Sequence, residues 1–122
     1  RVRTASGVIT TESVEPSFAD HPMVRRCALV GLGTDGRQSP VLVVEPRTFP
    51  ASDLEATNLA AAIRAHAASN PGSLRVSAVV FQKSLPVDAR HAAKVHRLAL
   101  GRHWQARGRA TDGDRDGKER WS

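Results

Sequence analysis

Cysteine is almost absent from this chain. Cys27 is the one cysteine among 122 residues, which excludes an internal disulfide and a zinc site built from several cysteines. No apolar run approaches the roughly 18–20 residues that span a bilayer, and residues 1–10 lack the apolar stretch of a signal peptide. These absences predict a cytoplasmic domain with no membrane span.

A glycine-rich phosphate loop is missing as well. The GxxxxGK[ST] pattern, whose backbone cradles nucleotide phosphates, does not occur. Gly31 and Gly33 form only G-x-G, with no third glycine and no predicted helix after them, so dinucleotide binding is not indicated. The sequence therefore argues against a nucleotide-binding enzyme that is complete in itself.

Aromatic residues are scarce, with three Phe, two Trp and no Tyr. The chain carries 18 Lys+Arg against 12 Asp+Glu, a formal net charge of +6, which first suggests nucleic-acid binding. However, the arginines are scattered from Arg1 to Arg120, and few aromatic rings are available to stack on bases. We therefore predict no nucleic-acid partner, and a basic surface that helps to attract a phosphate-bearing ligand.

The apolar pattern predicts one small α+β domain. A tight-turn sequence between two short β-prone pieces predicts an N-terminal β-hairpin. Continuous apolar runs predict a three-stranded sheet covered by helices, and Ser52 with Glu55 forms a capping box that begins a helix. The predicted strands are Val2–Thr4, Val8–Thr10, Val24–Leu32, Val41–Val44 and Val76–Phe81, and the predicted helices are Glu12–Ala19, a helix between Ser52 and Asn70, and Ala92–Trp104.

The end of the chain has a different composition. Residues 107–122 are polar, contain glycine and have few apolar side chains. Such a segment cannot bury enough apolar surface to offset its ordering entropy. We therefore expect a folded domain over residues 1–106 and a disordered polar tail over residues 107–122.

The segment Phe81–Leu100 holds the residues best suited to chemistry. After the strand that ends at Phe81, a polar loop brings Arg90, His91 and Lys94 within five residues. A lysine supplies a point charge for a carboxylate or phosphate oxygen, and an arginine can add a bidentate grip. These residues alone leave open an ordinary polar loop before an amphipathic helix. No metal site is predicted, because His96 and His103 lack a further close ligand.

Several short stretches occur together in a recognisable order. They are His21-Pro22-Met23-Val24, Ala28-Leu29-Val30-Gly31, Val41 to Glu45, Val79-Val80-Phe81 and Leu85-Pro86. With Lys94 after them, they resemble the C-terminal domain of the adenylate-forming superfamily, which includes acyl-CoA synthetases, nonribosomal peptide adenylation domains and luciferases. The resemblance covers about residues 1–104, nearly all of the predicted folded part.

The stretch before the lysine departs from the usual superfamily ending, P-x-T-x-x-G-K. Ala93 stands where that ending has glycine, and Lys94 lies farther from Pro86. The string P-V-D-x-R-H-x-A-K-V over residues 86–95 is instead similar to one subgroup, the olefin β-lactone synthetases. Residues 1–15 also look like that subgroup.

The resemblance implies a role in activating a carboxylic acid. Members use ATP and Mg²⁺ to convert an acid to an acyl-adenylate, and a large N-terminal domain binds both substrates. The small domain closes over it and inserts a catalytic lysine, which Lys94 matches, while Arg90 and His91 are candidates for supporting contacts to substrate or nucleotide. In the β-lactone subgroup the acid is a fatty acid with a β-hydroxyl group.

The resemblance also implies that these 122 residues are part of a larger enzyme and do not form adenylates alone. One alternative within the class is the lid of a fatty acyl-CoA ligase, which CoA dependence would distinguish. A second is a stand-alone binding module derived from such a lid, which would not need Lys94. A third is a small nucleic-acid binder, whose affinity would fall steeply with salt.

Overall fold

The computed structural model describes residues 1–88 and 94–121. An N-terminal hairpin precedes a mixed four-stranded sheet, and helices cover both faces of that sheet. The strands are β1 (Val2–Thr4), β2 (Gly7–Ile9), β3 (Val24–Leu32), β4 (Ser39–Pro46), β5 (Ala78–Gln82), β6 (Val87–Asp88), β7 (Lys94–Val95) and β8 (Arg115–Asp116). The helices are α1 (Thr11–Ala19), α2 (Asp53–His66) and α3 (Arg97–Arg107), with a 3₁₀ turn at Pro71–Arg75.

The central sheet has the order β3-β4-β5-β8. β3 and β4 form an antiparallel hairpin in which Leu29 faces Leu42, and β5 lies parallel to β4 with Val80 beside Val43. The connection from β4 to β5 contains α2, as a parallel pair requires a crossover. The α+β class, the N-terminal hairpin and the three apolar strands are therefore confirmed.

Both faces of the sheet are buried, which explains the continuous apolar runs. Alternate residues of each strand point to opposite faces, so Leu29 and Val30 lie in different clusters. One face packs against α1 and α2, and the other packs against α3 through Leu100 and Trp104. The large side chains that are almost fully buried include Trp104, Phe18, Phe81, Leu29, Leu42 and Ile63.

The capping box at the start of α2 forms as the sequence predicts. The Glu55 backbone N–H donates to Ser52 Oγ at 3.1 Å, and Glu55 Oε2 accepts from the backbone N–H of Ala51 at 2.8 Å. The first bond satisfies a donor that the first helical turn cannot pair internally, and the second holds the residue before the N-cap. The beginning of α2 is thus encoded locally, within five residues.

The last helix begins later than the sequence analysis predicts. It was expected from Ala92, but Lys94 and Val95 form strand β7, and α3 begins at Arg97. His96 supplies the N-cap, and its Nδ1 accepts from the Ala99 N–H at 3.3 Å. Val95 pairs across the hairpin with Val87. The expected start of the helix was wrong because strand pairing with Val87, eight residues earlier, outweighs the helical tendency of an alanine-rich run.

The tail also differs from the expectation of disorder. The structure places Arg115 and Asp116 in β8, which extends the sheet from three predicted strands to four. Polar contacts hold this segment: Asp112 receives two bonds from Arg64, of 2.7 and 2.9 Å. The Trp121 indole N–H donates to the Ser84 carbonyl at 2.7 Å. Composition could not indicate this packing because the partners lie elsewhere in the chain.

Candidate functional site

The site predicted from the sequence begins where β5 leaves the sheet. Gln82, the last residue of β5, is fully buried. Its Oε1 accepts from the Trp104 indole N–H at 3.0 Å, and its Nε2 donates to the carbonyls of Asp116 and Lys118. A buried amide with these partners holds the end of β5 between α3 and the tail. The loop that follows therefore starts from a fixed point.

The loop of residues 83–86 is held from both sides. The Leu85 N–H donates to Glu45 Oε1 at 2.8 Å, and the Ser84 carbonyl accepts from the indole of Trp121. The Lys83 N–H donates to the Asp116 carbonyl at 2.9 Å. Although it is a connecting segment, this loop has its backbone bonded to β4 and to the tail.

A short hairpin follows this loop and carries Lys94. Val87 pairs with Val95, and Asp88 pairs with Lys94, in antiparallel register. The base of the hairpin is closed by the His96 N–H, which donates to the Pro86 carbonyl at 2.6 Å. The backbone of Lys94 thus belongs to a paired strand that lies two residues before α3.

The predicted supporting residues come between the two strands of this hairpin in the sequence. Arg90 and His91 lie outside the described residues, so their roles stay predictions. For Lys94 the structure adds the position of the backbone in β7. The fold brings together the two sides of the hairpin, residues 86–88 and residues 94–96.

An ion pair anchors the chain directly after the hairpin. Arg97, the first residue of α3, contacts both oxygens of Glu15 on α1, at 2.5 Å and 2.8 Å. Glu15 Oε2 also accepts from the Leu29 N–H of β3 at 2.6 Å. The pKa of Arg97 lies above its ordinary value, mainly because its guanidinium donates hydrogen bonds to the Glu15 carboxylate, although partial burial opposes this. The start of α3 is thereby tied to the sheet and to α1.

Two clefts open to solvent flank the hairpin base. One, of about 400 Å³, lies beside Arg26, Glu45 and Val87. The other, of about 230 Å³, is lined by Pro86, Val87, His96, Ala99 and Trp121. Small-molecule sites enclose most of their ligand's surface. Clefts this open can supply one wall of a site, and a second surface would have to supply the rest.

Within residues 1–88 and 94–121, no group of three or more His, Cys, Asp or Glu side chains is arranged to hold a metal ion. No helix in that part of the chain is long and apolar enough to cross a membrane.

Sequence reasoning missed the side chains that hold the hairpin. The sequence places Glu45 only at the end of the stretch Val41 to Glu45, and it indicates no role for Glu15 or Trp121. One signal was available for Glu45: a carboxylate directly follows the apolar run Val41–Val44. Such a residue, placed where a strand is buried on both faces, is expected to require partners.

Comparison with known proteins finds relatives over most of the chain. The chain is 45% identical over 100 residues, 82% of its length, to an olefin β-lactone synthetase of Xanthomonas campestris pv. campestris. It is 41% identical, also over 82% of its length, to the olefin β-lactone synthetase of Stenotrophomonas maltophilia. No protein-family model matches. The chain spans only 18% of the length of each of these relatives. The resemblance is therefore confirmed: this chain is homologous to a segment of the olefin β-lactone synthetases, which are adenylate-forming enzymes.

Proposed function

We propose that this chain is the C-terminal lid of an ATP-dependent acid-activating enzyme that makes β-lactones, and that Lys94 is its catalytic lysine. The observation that carries the proposal is the 41–45% identity to olefin β-lactone synthetases over 82% of the chain. The string over residues 86–95, which ends with Lys94 and Val95, is the local feature that points to this lysine. The partner is a large adenylation domain in the same polypeptide.

The placement of Lys94 supports this role. Its strand is paired with β6, and the bond of the His96 N–H closes the hairpin base. Bonds at Leu85 and Arg97 tie the two sides of the hairpin to the rest of the domain. A group held in this way can be delivered to a second surface without losing its geometry. The open clefts at the hairpin base fit a site that is completed by another domain.

The chemistry required of Lys94 is electrostatic. Attack of a carboxylate on the α-phosphate of ATP brings two anions together and releases pyrophosphate. An ammonium group placed near the reacting oxygens relieves this repulsion as charge develops. Arg90 and His91, two neighbouring polar residues, are proposed to add contacts to substrate or nucleotide oxygens. ATP supplies the adenylyl group, and Mg²⁺ is proposed to be held mainly by the large domain.

The second step is an intramolecular ring closure. The β-hydroxyl oxygen of the activated fatty acid attacks its own acyl carbon and its proton passes to solvent, while the bond from that carbon to the adenylate oxygen breaks. A four-membered lactone forms and AMP leaves, so no thiol is consumed. The hydroxyl and the acyl carbon belong to one molecule, so binding mainly has to orient them.

The test uses the complete enzyme with Lys94→Ala and measures pyrophosphate release from ATP and a β-hydroxy fatty acid. We expect a loss of about 100-fold or more in kcat, because a preorganised charge is removed from the transition state. Lys83→Ala is the matched control. Lys83 is also a lysine near the hairpin, but its ammonium pairs with Glu119 at 2.6 Å, so kcat should change less than about twofold. An unchanged rate for Lys94→Ala would show that this lysine is not catalytic.

Two further measurements separate the proposed product from its alternatives. AMP and lactone should form without CoA, whereas strict CoA dependence would identify the lid of an acyl-CoA ligase. The intact mass of the native protein should be far above the 13.1 kDa of this chain. A native mass near 13.1 kDa would instead indicate a stand-alone binding module.

A further inference from the structure

Glu45 is a buried carboxylate at the end of β4. Only 6% of its surface is exposed. Its Oε1 accepts from the Leu85 N–H at 2.8 Å, and its Oε2 lies 3.4 Å from Arg25 Nε and 3.7 Å from Arg26 Nε. Burying a charged carboxylate costs free energy, so it is found buried only where hydrogen bonds or opposite charges compensate. Here one of those partners is the loop that leads to Lys94.

The contact connects to Lys94 through a short series of bonds. Leu85 is 2% exposed, so its N–H has little access to water as an alternative acceptor. The next residue, Pro86, accepts from His96 across the hairpin base. Val87 and Asp88 then pair with Val95 and Lys94. Moving Leu85 would therefore shift the strand against which Lys94 is aligned.

We propose that Glu45 is a positioning residue for Lys94, acting through the Leu85 N–H and the base of the β6–β7 hairpin. This inference rests on the proposed function, because it requires Lys94 to be the group that is positioned. Glu45 does not itself touch the substrate in this proposal. Its carboxylate fixes the loop of residues 83–86, and the hairpin passes that placement on to the lysine backbone.

Removal of Glu45 should loosen the loop without leaving a buried charge. Arg25 and Arg26 have side chains 60% and 32% exposed, so water can solvate both in its absence. The group left without a partner is the buried Leu85 N–H. Small displacements of a catalytic group have large effects on rate, since about 1 Å can cost 10²-fold. The expected consequence is a lower kcat with substrate binding retained.

The experiment measures pyrophosphate release by the complete enzyme carrying Glu45→Ala. We expect kcat to fall about tenfold or more, with KM for ATP and for acid within about twofold of the parent. Glu45→Gln keeps an oxygen that can accept from Leu85, so its kcat should lie closer to the parent. Glu119→Gln is the matched control, since Glu119 is 58% exposed beside the same loop. It should leave kcat unchanged.

A double-mutant cycle separates positioning from a merely structural role. If Glu45 acts through Lys94, Glu45→Ala should change kcat by less than about twofold in an enzyme that already carries Lys94→Ala. Assays are run well below the unfolding temperature of each variant. Should Glu45→Ala fail to fold, Glu45→Asp replaces it in the cycle. This variant keeps the charge but draws the carboxylate away from Leu85.

The outcomes distinguish this proposal from the proposed function. If Lys94→Ala leaves kcat unchanged, both fail, because there is no catalytic lysine to position. If Lys94→Ala is slow but Glu45→Ala retains the parent kcat, only the positioning role is overturned. The positioning role would also be overturned if Glu45→Ala lowered kcat by the same factor in the parent and in Lys94→Ala. A loss confined to enzymes that carry Lys94 supports it.

Discussion

At the scale of single residues, burial determines what Cys27 can do. Cys27 lies in β3 and is 9% exposed. Burial, together with the nearby Glu15 carboxylate, raises the pKa of its thiol to about 12, although Arg97 acts in the opposite direction. The thiolate is the nucleophilic form of cysteine. Cys27 therefore serves as a small apolar residue of the core, as its place in an apolar run predicts.

We predict that Cys27 resists alkylation in the folded chain. At about pH 7.5, iodoacetamide should react at least about 100-fold more slowly with the folded chain than with the same chain in urea, because both access and ionisation are suppressed. Mass spectrometry of samples quenched over time gives both rates. Equal rates in the two conditions would show that the thiol is neither buried nor of raised pKa.

At the scale of secondary-structure elements, Asn70 joins the end of α2 to α1. Its Nδ2 donates to the Ser13 carbonyl at 2.9 Å and to Ser17 Oγ at 2.8 Å, and its Oδ1 accepts from the Gly72 N–H at 2.9 Å. One side chain thereby caps the 3₁₀ turn and links it to a helix more than fifty residues earlier. The sequence indicated only that Asn70 ends a helix.

Asn70→Ala should destabilise the folded chain by about 1–3 kcal/mol, since a cap and two interhelical bonds are lost. Urea unfolding followed by circular dichroism measures this change in the free energy of unfolding. Asn58→Ala is the control, because Asn58 is exposed within α2 and alanine favours a helix. If the two variants have the same free energy of unfolding, the contacts from Asn70 to α1 do not contribute to stability.

At the scale of the whole molecule, Asp116 ties the tail to α3. One of its carboxylate oxygens lies 2.6 Å from His103 Nε2 and accepts from Arg107 Nη1 at 2.9 Å. The other accepts from the Lys118 N–H at 2.8 Å. Burial alone would raise the pKa of Asp116, but the bonds from Lys118 and His103 and the charge of Arg107 outweigh it and hold that pKa below the ordinary value.

The lowered pKa predicts how the stability of the chain depends on pH. A carboxyl whose folded-state pKa lies below its unfolded value of about 3.9 stabilises the fold above that value, and this contribution is lost as the pH falls through the folded-state pKa. Asp116→Asn should therefore be less stable than the parent at about pH 5. The difference should shrink as the pH falls below about 3.9 towards about 3, because the carboxyl of the parent is then increasingly protonated in the unfolded chain.

Urea midpoints of both proteins at these two pH values test this prediction. Asp35→Asn is the control. The Asp35 side chain is 76% exposed, and its ion pair with Arg3 is long, at 3.8 Å. This variant should show almost no difference from the parent at either pH. A deficit in Asp116→Asn that stays constant on acidification would contradict the lowered pKa.

The sequence was sufficient wherever the determining interactions are local. The apolar runs predicted β3 with its observed ends and the centres of β4 and β5, and Ser52 with Glu55 predicted the start of α2. It failed where strand pairing decides the structure. Val95 pairs with Val87, eight residues earlier, instead of lying in a helix, and Arg115 lies beside the distant Phe81 in the sheet. For the site, the motif singled out Lys94, but neither Glu45 nor Glu15 could be linked to it.

By itself, the sequence determined the fold class, the strands buried on both faces and the resemblance to olefin β-lactone synthetases. These features depend on hydrophobic periodicity, helix capping and motif spacing, which involve residues close together in the sequence. Only the tertiary structure decided that Glu45, Arg97 and Trp121 hold the hairpin that carries Lys94. The physical reason is that a polar side chain becomes an anchor only when folding buries it beside a particular partner. Such a partner can lie tens of residues away, as Leu85 does from Glu45.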